Sequence, residues 1–276
     1  MNMSSTDCIA PQIMGILNLT TDSFSDGGKW LNSNDALQHA MKMLEEGAQI
    51  IDIGAESTRP GSMPISAELE WSRIEPVLNS LSRQNIHCKV SVDTQKSYVA
   101  ERSIAAGATM INDISALEYD PEMLQVLKQH QDVELVIMHK QGNPETMQVN
   151  PQYDDVVTDV KDYLISRLEY LEQHGINRDR IYLDPGIGFG KTLDHNLEIL
   201  ANLDLYQGYK LLLGASRKSF IDKIQPADPQ SRLGGSLAAA MYAILAKAAI
   251  IRVHDVREHR QFFDVMMAIE KRQRRG

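Results

Sequence analysis

The sequence predicts a single (β/α)8 barrel, the TIM-barrel architecture, on three observations. Eight short apolar runs alternate with eight stretches whose apolar residues recur at helical spacing. Each of the apolar runs closes on a polar side chain. No composition break, linker or low-complexity segment interrupts the 276 residues. Alternation of strands and helices builds a parallel sheet, and eight repeats close it on itself before they leave it open. A doubly wound dinucleotide fold is disfavoured, because no Gly-x-Gly-x-x-Gly opens a helix after the first strand.

The predicted strands are Ile13–Leu19, Ile50–Gly54, Lys89–Val92, Met110–Ile114, Glu134–Met138, Ile181–Leu183, Lys210–Gly214 and Ala249–Val253. The helical stretches between them are Asn34–Glu46, Ser66–Arg83, Lys96–Ala106, Pro121–Gln129, Tyr153–His174, Leu193–Leu203, Gly234–Lys247 and Val256–Arg272. Ser66 followed by Glu68 and Glu70 reads as a helix start. Gly47, Gly107 and Gly175 fall just after helical runs, where C-capping glycines belong. One domain spanning residues 1–276 is expected, with residues 1–11 as a flexible arm.

Composition excludes several classes. A net charge of −9 argues against nucleic-acid or anionic-membrane binding. The basic tail from Lys271 to Arg275 reads as a solvated helix end. Two cysteines, Cys8 and Cys88, make no disulfide framework, and Cys88 is expected to be a buried small apolar residue. No convincing zinc or iron–sulfur spacing is present. No signal peptide is expected at the start, and no apolar run approaches the ~18 residues of a membrane span. A reducing cytoplasm is the simplest compartment.

In such a barrel, chemistry belongs at the C-terminal ends of the strands. The residues there are Asn18, Glu56, Asp93, Asn112 with Asp113, His139, Asp184, Ser216 with Lys218, and Arg252 with His254. The most informative stretch is Ile181–Lys191, where a strand ends at Asp184 and the next six residues hold three glycines and Pro185. Glycines let a ligand lie against the main chain, and a carboxylate beside Phe189 suits a polar planar heterocycle. Gly190-Lys191-Thr192 mimics the end of a P-loop, but Pro185 stands where its earlier glycine would be required.

Two loops carry further polar groups. Asn18–Gly28, rich in hydroxyls, acids and glycine, reads as a mobile lid or a plain turn. Glu56–Ser62 offers Arg59 to a phosphate or carboxylate, or to a surface salt bridge. Arg217, Lys218, Arg252 and His254 cluster late in the chain, and alternation puts Arg252 and His254 on one strand face. Barrels often hold phosphate at the last two strands, so these cations favour a phosphorylated substrate. Asp93 and Asp184, with Asn112, then face the donors of a heterocycle. Two other readings stay open: an ion network with Lys218, or a two-carboxylate acid/base pair. His139 reads as a supporting or core histidine. Met14, Met41, Met43, Met241, Met266 and Met267 read as core filler.

These residues together resemble the dihydropteroate synthases, a pterin-binding barrel family of folate biosynthesis. The likeness is carried by Met14–Asn18 with Asp22–Gly28, Glu56–Gly61, Ser91–Thr94, Ile111–Asp113, Met138-His139, Asp184–Lys191, Ser216–Lys218 and Arg252–Asp255. It covers the chain from Met14 to the last helix. It implies a Mg²⁺-dependent transferase joining p-aminobenzoate to 6-hydroxymethyl-7,8-dihydropterin diphosphate, with release of diphosphate and 7,8-dihydropteroate. By resemblance, Asp93, Asn112, Met138, Asp184 and Lys218 hold the pterin. Asn18 contacts Mg²⁺ and, with Thr58, Arg59, Arg252 and His254, the diphosphate. Thr58, Pro60, Phe189, Ser216 and Lys218 shape the p-aminobenzoate end. Asp93, Lys218, Arg252 and His254 carry the catalysis, without a covalent enzyme intermediate. The family is usually homodimeric and is inhibited by sulfonamides, and no insertion between Thr58 and Gly61 disturbs that expectation. Thr21 stands where the family has proline, which leaves the lid less stiff. The rivals are a methyltetrahydrofolate–corrinoid methyltransferase and a paralogue that binds pterin diphosphate without turnover.

Overall fold

The computed structural model describes residues 10–20, 33–57, 61–84, 88–142, 147 and 149–272. The lid beyond Thr20, the residues Thr58, Arg59 and Pro60, most of the N-terminal arm and the end of the basic tail lie outside them.

Eight parallel strands form a closed barrel in sequence order. They are β1 (Gln12–Asn18), β2 (Ile50–Gly54), β3 (Lys89–Asp93), β4 (Met110–Asp113), β5 (Glu134–Met138), β6 (Ile181–Asp184), β7 (Lys210–Leu213) and β8 (Ile250–Val253). The helices are α1 (Ser33–Glu45), α2 (Ala67–Arg83), α3 (Ser97–Ala105), α4 (Met123–Gln129), α5 (Val156–Gln173), α6 (Leu193–Ala201), α7 (Ser219–Ile224), α8 (Leu233–Leu245) and α9 (Val256–Glu270). All eight expected strands and eight expected helices are present to within a few residues. Among the described residues, α7 is an α-helix not expected from the sequence, and its six residues are too few to show a periodicity. Ser66 caps α2 by accepting from the Leu69 amide at 3.2 Å. Gly47, Gly107 and Gly175 adopt φ of +106°, +104° and +88°, which closes each preceding helix at the left-handed position that glycine takes without strain.

Side chains alternate across a strand, and the registers turn that rule into two concentric layers. Outward residues such as Ile13, Ile51, Ile53, Val92, Ile111, Ile137, Leu183, Leu213 and Ile251 join the helices in one continuous core. Inward residues Met14, Ile50, Met110, Val136, Tyr182, Leu212 and Ile250 fill the barrel as a second, separate cluster. Below this plug, the Tyr182 hydroxyl donates to Glu134 at 2.8 Å and Lys89 pairs with Glu134 at 2.6 Å. The barrel is therefore closed by polar contacts at its N-terminal end. Two expectations need correction. Met241 is exposed on α8 rather than core filler, and Cys88 is half-buried rather than buried. No helix among the described residues is long and apolar enough to cross a membrane.

Candidate active site

The inward parity of the strands continues, above the apolar plug, into polar residues. Two residues beyond Ile16 comes Asn18, two beyond Ile50 comes Asp52, and two beyond Met110 comes Asn112. Met138 follows Val136 in the same way, Asp184 follows Tyr182, and Arg252 follows Ile250. The register aligns Asn18 with Gly54, Gly54 with Asp93, and Asp93 with Asn112. It also aligns Met138 with Asp184. The missing side chains at two inward positions leave room for this ring. A Cβ on Gly54 would lie 3.7 Å from Asp93 Oδ2 and 3.8 Å from Asn18 Oδ1, and one on Gly214 would lie 3.6 Å from Asp184 Oδ2. Asn112, Met138, Asp184 and Ser216 are buried, while Asn18, Asp93, Phe189, Lys218, Arg252 and His254 are half-buried around the opening.

Opposite charges meet within the ring. Arg252 is held between two carboxylates, donating from Nε to Asp52 Oδ2 at 2.6 Å and from a terminal nitrogen to Asp93 Oδ2 at 2.9 Å. Asn112 donates to the same Asp52 oxygen at 3.2 Å, while the buried Asp52 Oδ1 has no hydrogen-bond partner. Burial pushes the Asp93 carboxyl up to about 7, against the pull of Arg252. Burial also raises Asp184, opposed by the Gly186 amide, which donates to its Oδ1 at 2.8 Å. Burial and the nearby Arg252 bring the Lys218 ammonium down to about 8. Lys218 lies over the Phe189 ring, 4.1 Å from its centroid. Ser216 Oγ sits 3.1 Å from His254 Nδ1 and accepts the His254 amide at 3.2 Å.

Some expected groups serve the scaffold. Arg217 pairs with Asp255, with Nε donating at 3.0 Å, so it supports the loop after β7 instead of adding a cation to the mouth. Asp113 faces outward and accepts from Ser115 and Leu117 in its own turn. Glu56 is tied to Lys96 at 2.5 Å, and Lys96 in turn to the buried Glu70 at 2.5 Å, which braces the stem of the loop that leads to Thr58. His139 is a core histidine that supports the site: its ring is buried, with Nδ1 3.0 Å from Lys191 Nζ.

Sequence reasoning missed Asp52 and the depth at which Lys191 sits. Asp52 lies inside Ile50-Ile51-Asp52-Ile53, and a carboxylate in an apolar strand requires a partner when buried. Its even spacing from Gly54 was the available signal.

Gly186 shows how tightly the site is built. Its φ is +67°, and a Cβ there would come within 2.0 Å of the His139 carbonyl oxygen. Gly186→Ala is expected to cost at least about 2 kcal/mol of stability, from strain and overpacking together. Chemical denaturation of both proteins measures this, and equal midpoints would refute it.

A parallel barrel whose mouth gathers carboxylates, an amide and a methionine face with Lys218, Arg252 and His254 suits an enzyme for a planar, donor-rich heterocycle. A family profile described as pterin binding enzyme matches residues 14–254. The dihydropteroate synthase of Escherichia coli is 46% identical over 257 residues, covering 92% of this chain and 90% of that protein. Among solved structures, the Yersinia pestis dihydropteroate synthase in a sulfonamide drug complex superimposes with a TM-score of 0.91 at 44% identity, covering 95% of each chain. The Xanthomonas albilineans enzyme with 4-aminobenzoic acid gives 0.86 at 39% identity, covering 94% of this chain and 93% of that one. The chain belongs to the pterin-binding enzymes and, within them, to the dihydropteroate synthases.

Proposed function

We propose that this chain joins p-aminobenzoate to 6-hydroxymethyl-7,8-dihydropterin diphosphate, releasing diphosphate and 7,8-dihydropteroate. The observation that carries the reading is the ring itself, which gathers Asp184, Asn112 and Met138 with Lys218, Arg252 and His254. On that geometry the buried carboxylates accept the pterin N–H groups. A ligand lacking those groups would leave buried acceptors unpaired, and that gives selectivity. Met138 offers the ring a polarisable face. Arg252 and His254, with Thr58 and Arg59, hold the leaving diphosphate and stabilise charge as the C–O bond breaks. Asp93 stands nearest the electron-poor methylene carbon that the amine of p-aminobenzoate attacks. Ser216, Lys218, Phe189 and Pro60 form the surface on which that second substrate lies.

The donor set fits a magnesium ion held mainly by substrate. Mg²⁺ takes oxygen ligands and is commonly bound through few protein groups plus phosphates. Asn18 supplies such an oxygen beside Asp93. No group of three or more His, Cys, Asp or Glu side chains among the described residues is placed to hold a metal by itself. When bound, the ion would neutralise charge on the diphosphate. We read the protein as a homodimer packed through helices, which the exposed Met241, Tyr242 and Leu245 of α8 and Val265 and Ile269 of α9 support. A cytoplasmic setting suits the low cysteine content.

Diphosphate release from purified protein, pterin diphosphate and Mg²⁺ tests the reading. Release should require p-aminobenzoate and fall with a sulfonamide that competes with it. Tight pterin binding without release would instead leave a binding-only paralogue or a methyltransferase.

A further inference from the structure

Lys191 is the most unusual side chain outside the ring. It is 1% exposed, and lysine is almost never fully buried unless paired. Among the described residues no carboxylate forms a hydrogen bond or ion pair with it. Its Nζ lies 3.0 Å from His139 Nδ1, 3.0 Å from the Gly186 carbonyl oxygen and 3.0 Å from the Phe189 carbonyl oxygen, with the His139 carbonyl oxygen at 3.4 Å. An ammonium has three donors, and the three acceptors at 3.0 Å match them. Burial and Lys191 hold the His139 ring down at about 3, so it is neutral, and a neutral ring can present Nδ1 as an acceptor to a charged Lys191. Burial also lowers Lys191 itself to about 7, with Asp184 opposing.

These contacts join the loop after β5 to the loop after β6. The second loop is fixed at other points as well. The Gly188 amide donates to Asn196 Oδ1 at 2.6 Å, and the Tyr153 hydroxyl donates to the Gly190 carbonyl at 2.8 Å. Phe189 is the residue of this loop that faces the site, and its own carbonyl is one of the three held by Lys191. The ring against which Lys218 rests therefore takes its position from a buried amine two residues later.

We propose that Lys191 is a positioning residue for the p-aminobenzoate end of the site, acting through Phe189. The inference rests on the assignment of Phe189 to that end. Asp184 is carried by β6 itself, and although its Oδ1 accepts the Gly186 amide of this loop, its pocket-side Oδ2 makes no such contact, so loosening the loop should disturb the pterin end less than the Phe189 end. Lys191→Met keeps the side-chain length and removes the donors. It should raise KM for p-aminobenzoate about tenfold while KM for pterin diphosphate stays within about threefold, because misplacing one contact by about an ångström costs that much or more. Phe189→Ala should raise the same KM, and adding it to Lys191→Met should multiply the effect by less than about twofold, since residues that act as a unit are not additive.

Steady-state kinetics on the wild type, both single variants and the double variant decide the matter. Equal losses for both substrates, or independent and multiplicative effects of the two substitutions, would overturn the inference. If Lys191→Met does not fold, His139→Ala removes one acceptor and leaves the amine. It should shift KM for p-aminobenzoate selectively and in the same direction, and a non-selective loss there overturns the proposal equally. A wild type without p-aminobenzoate-dependent release would fail the proposed function, whereas a working wild type with non-selective variants fails only this inference.

Discussion

Asp184→Asn should lower kcat/KM for pterin diphosphate by roughly a thousandfold while leaving the fold intact. The two oxygens of Asp184 have different duties. Oδ1 accepts the Gly186 amide at 2.8 Å and anchors the turn after β6. Oδ2 lies at the bare position of Gly214, on the side of the pocket. Asparagine preserves the first contact, because its amide oxygen still accepts. At the second atom it replaces an acceptor with a donor, so it meets the N–H groups of a pterin with another N–H. The loss comprises a missing hydrogen bond and a buried like-to-like clash, both absent in free enzyme. Stability should be unchanged or slightly higher, since burial already disfavours the charged carboxyl. Thermal melts with steady-state kinetics separate the two effects. A variant within tenfold of wild type in kcat/KM would show that Asp184 does not read the heterocycle.

The fold was legible because its signals are local and repeated. Period-two strands, helical spacing and the glycines at 47, 107 and 175 each state a backbone requirement that one segment fulfils by itself. Most of the ring was legible for a related reason: Asn18, Asp93 and Asp184 end strands, Asn112 is one residue from an end, and a barrel puts strand ends in one place. The partnerships were not legible. Arg252 reads from sequence as a cation free to grip phosphate, yet two carboxylates engage it, one contributed by a residue 200 positions away. Lys191 reads as part of a glycine loop, yet its amine turns inward to His139, 52 positions earlier. Arg217 reads as a companion of Lys218, yet it turns to Asp255. Charge in the sequence says that a group must be compensated; which group compensates it depends on which strands become neighbours.

Arg252→Met is the substitution expected to damage both stability and turnover. Methionine keeps much of the bulk and removes the only cation that contacts either Asp52 or Asp93 among the described residues. Breaking a buried pair by removing one partner costs about 3–5 kcal/mol, because the other charge is left buried without compensation. Two carboxylates are left here, which places the expectation at the upper end. The pH dependence carries the sign. Asp93 is already raised to about 7 with Arg252 opposing the rise, so its removal moves the carboxyl higher still. Between about 4, the unfolded value, and that raised value, the folded variant binds a proton that the unfolded chain does not, and stability therefore falls as pH rises. In the variant this window reaches further up than in wild type. The stability gap between them should then be smaller at pH 5 than at pH 8, and adding Asp52→Asn should narrow it again at pH 8. Urea denaturation of the three proteins at both pH values provides the measurement. A gap that is constant with pH, or wider at pH 5, would mean that Arg252 is not the counter-charge of this pair. Its first duty would then lie with the leaving group alone.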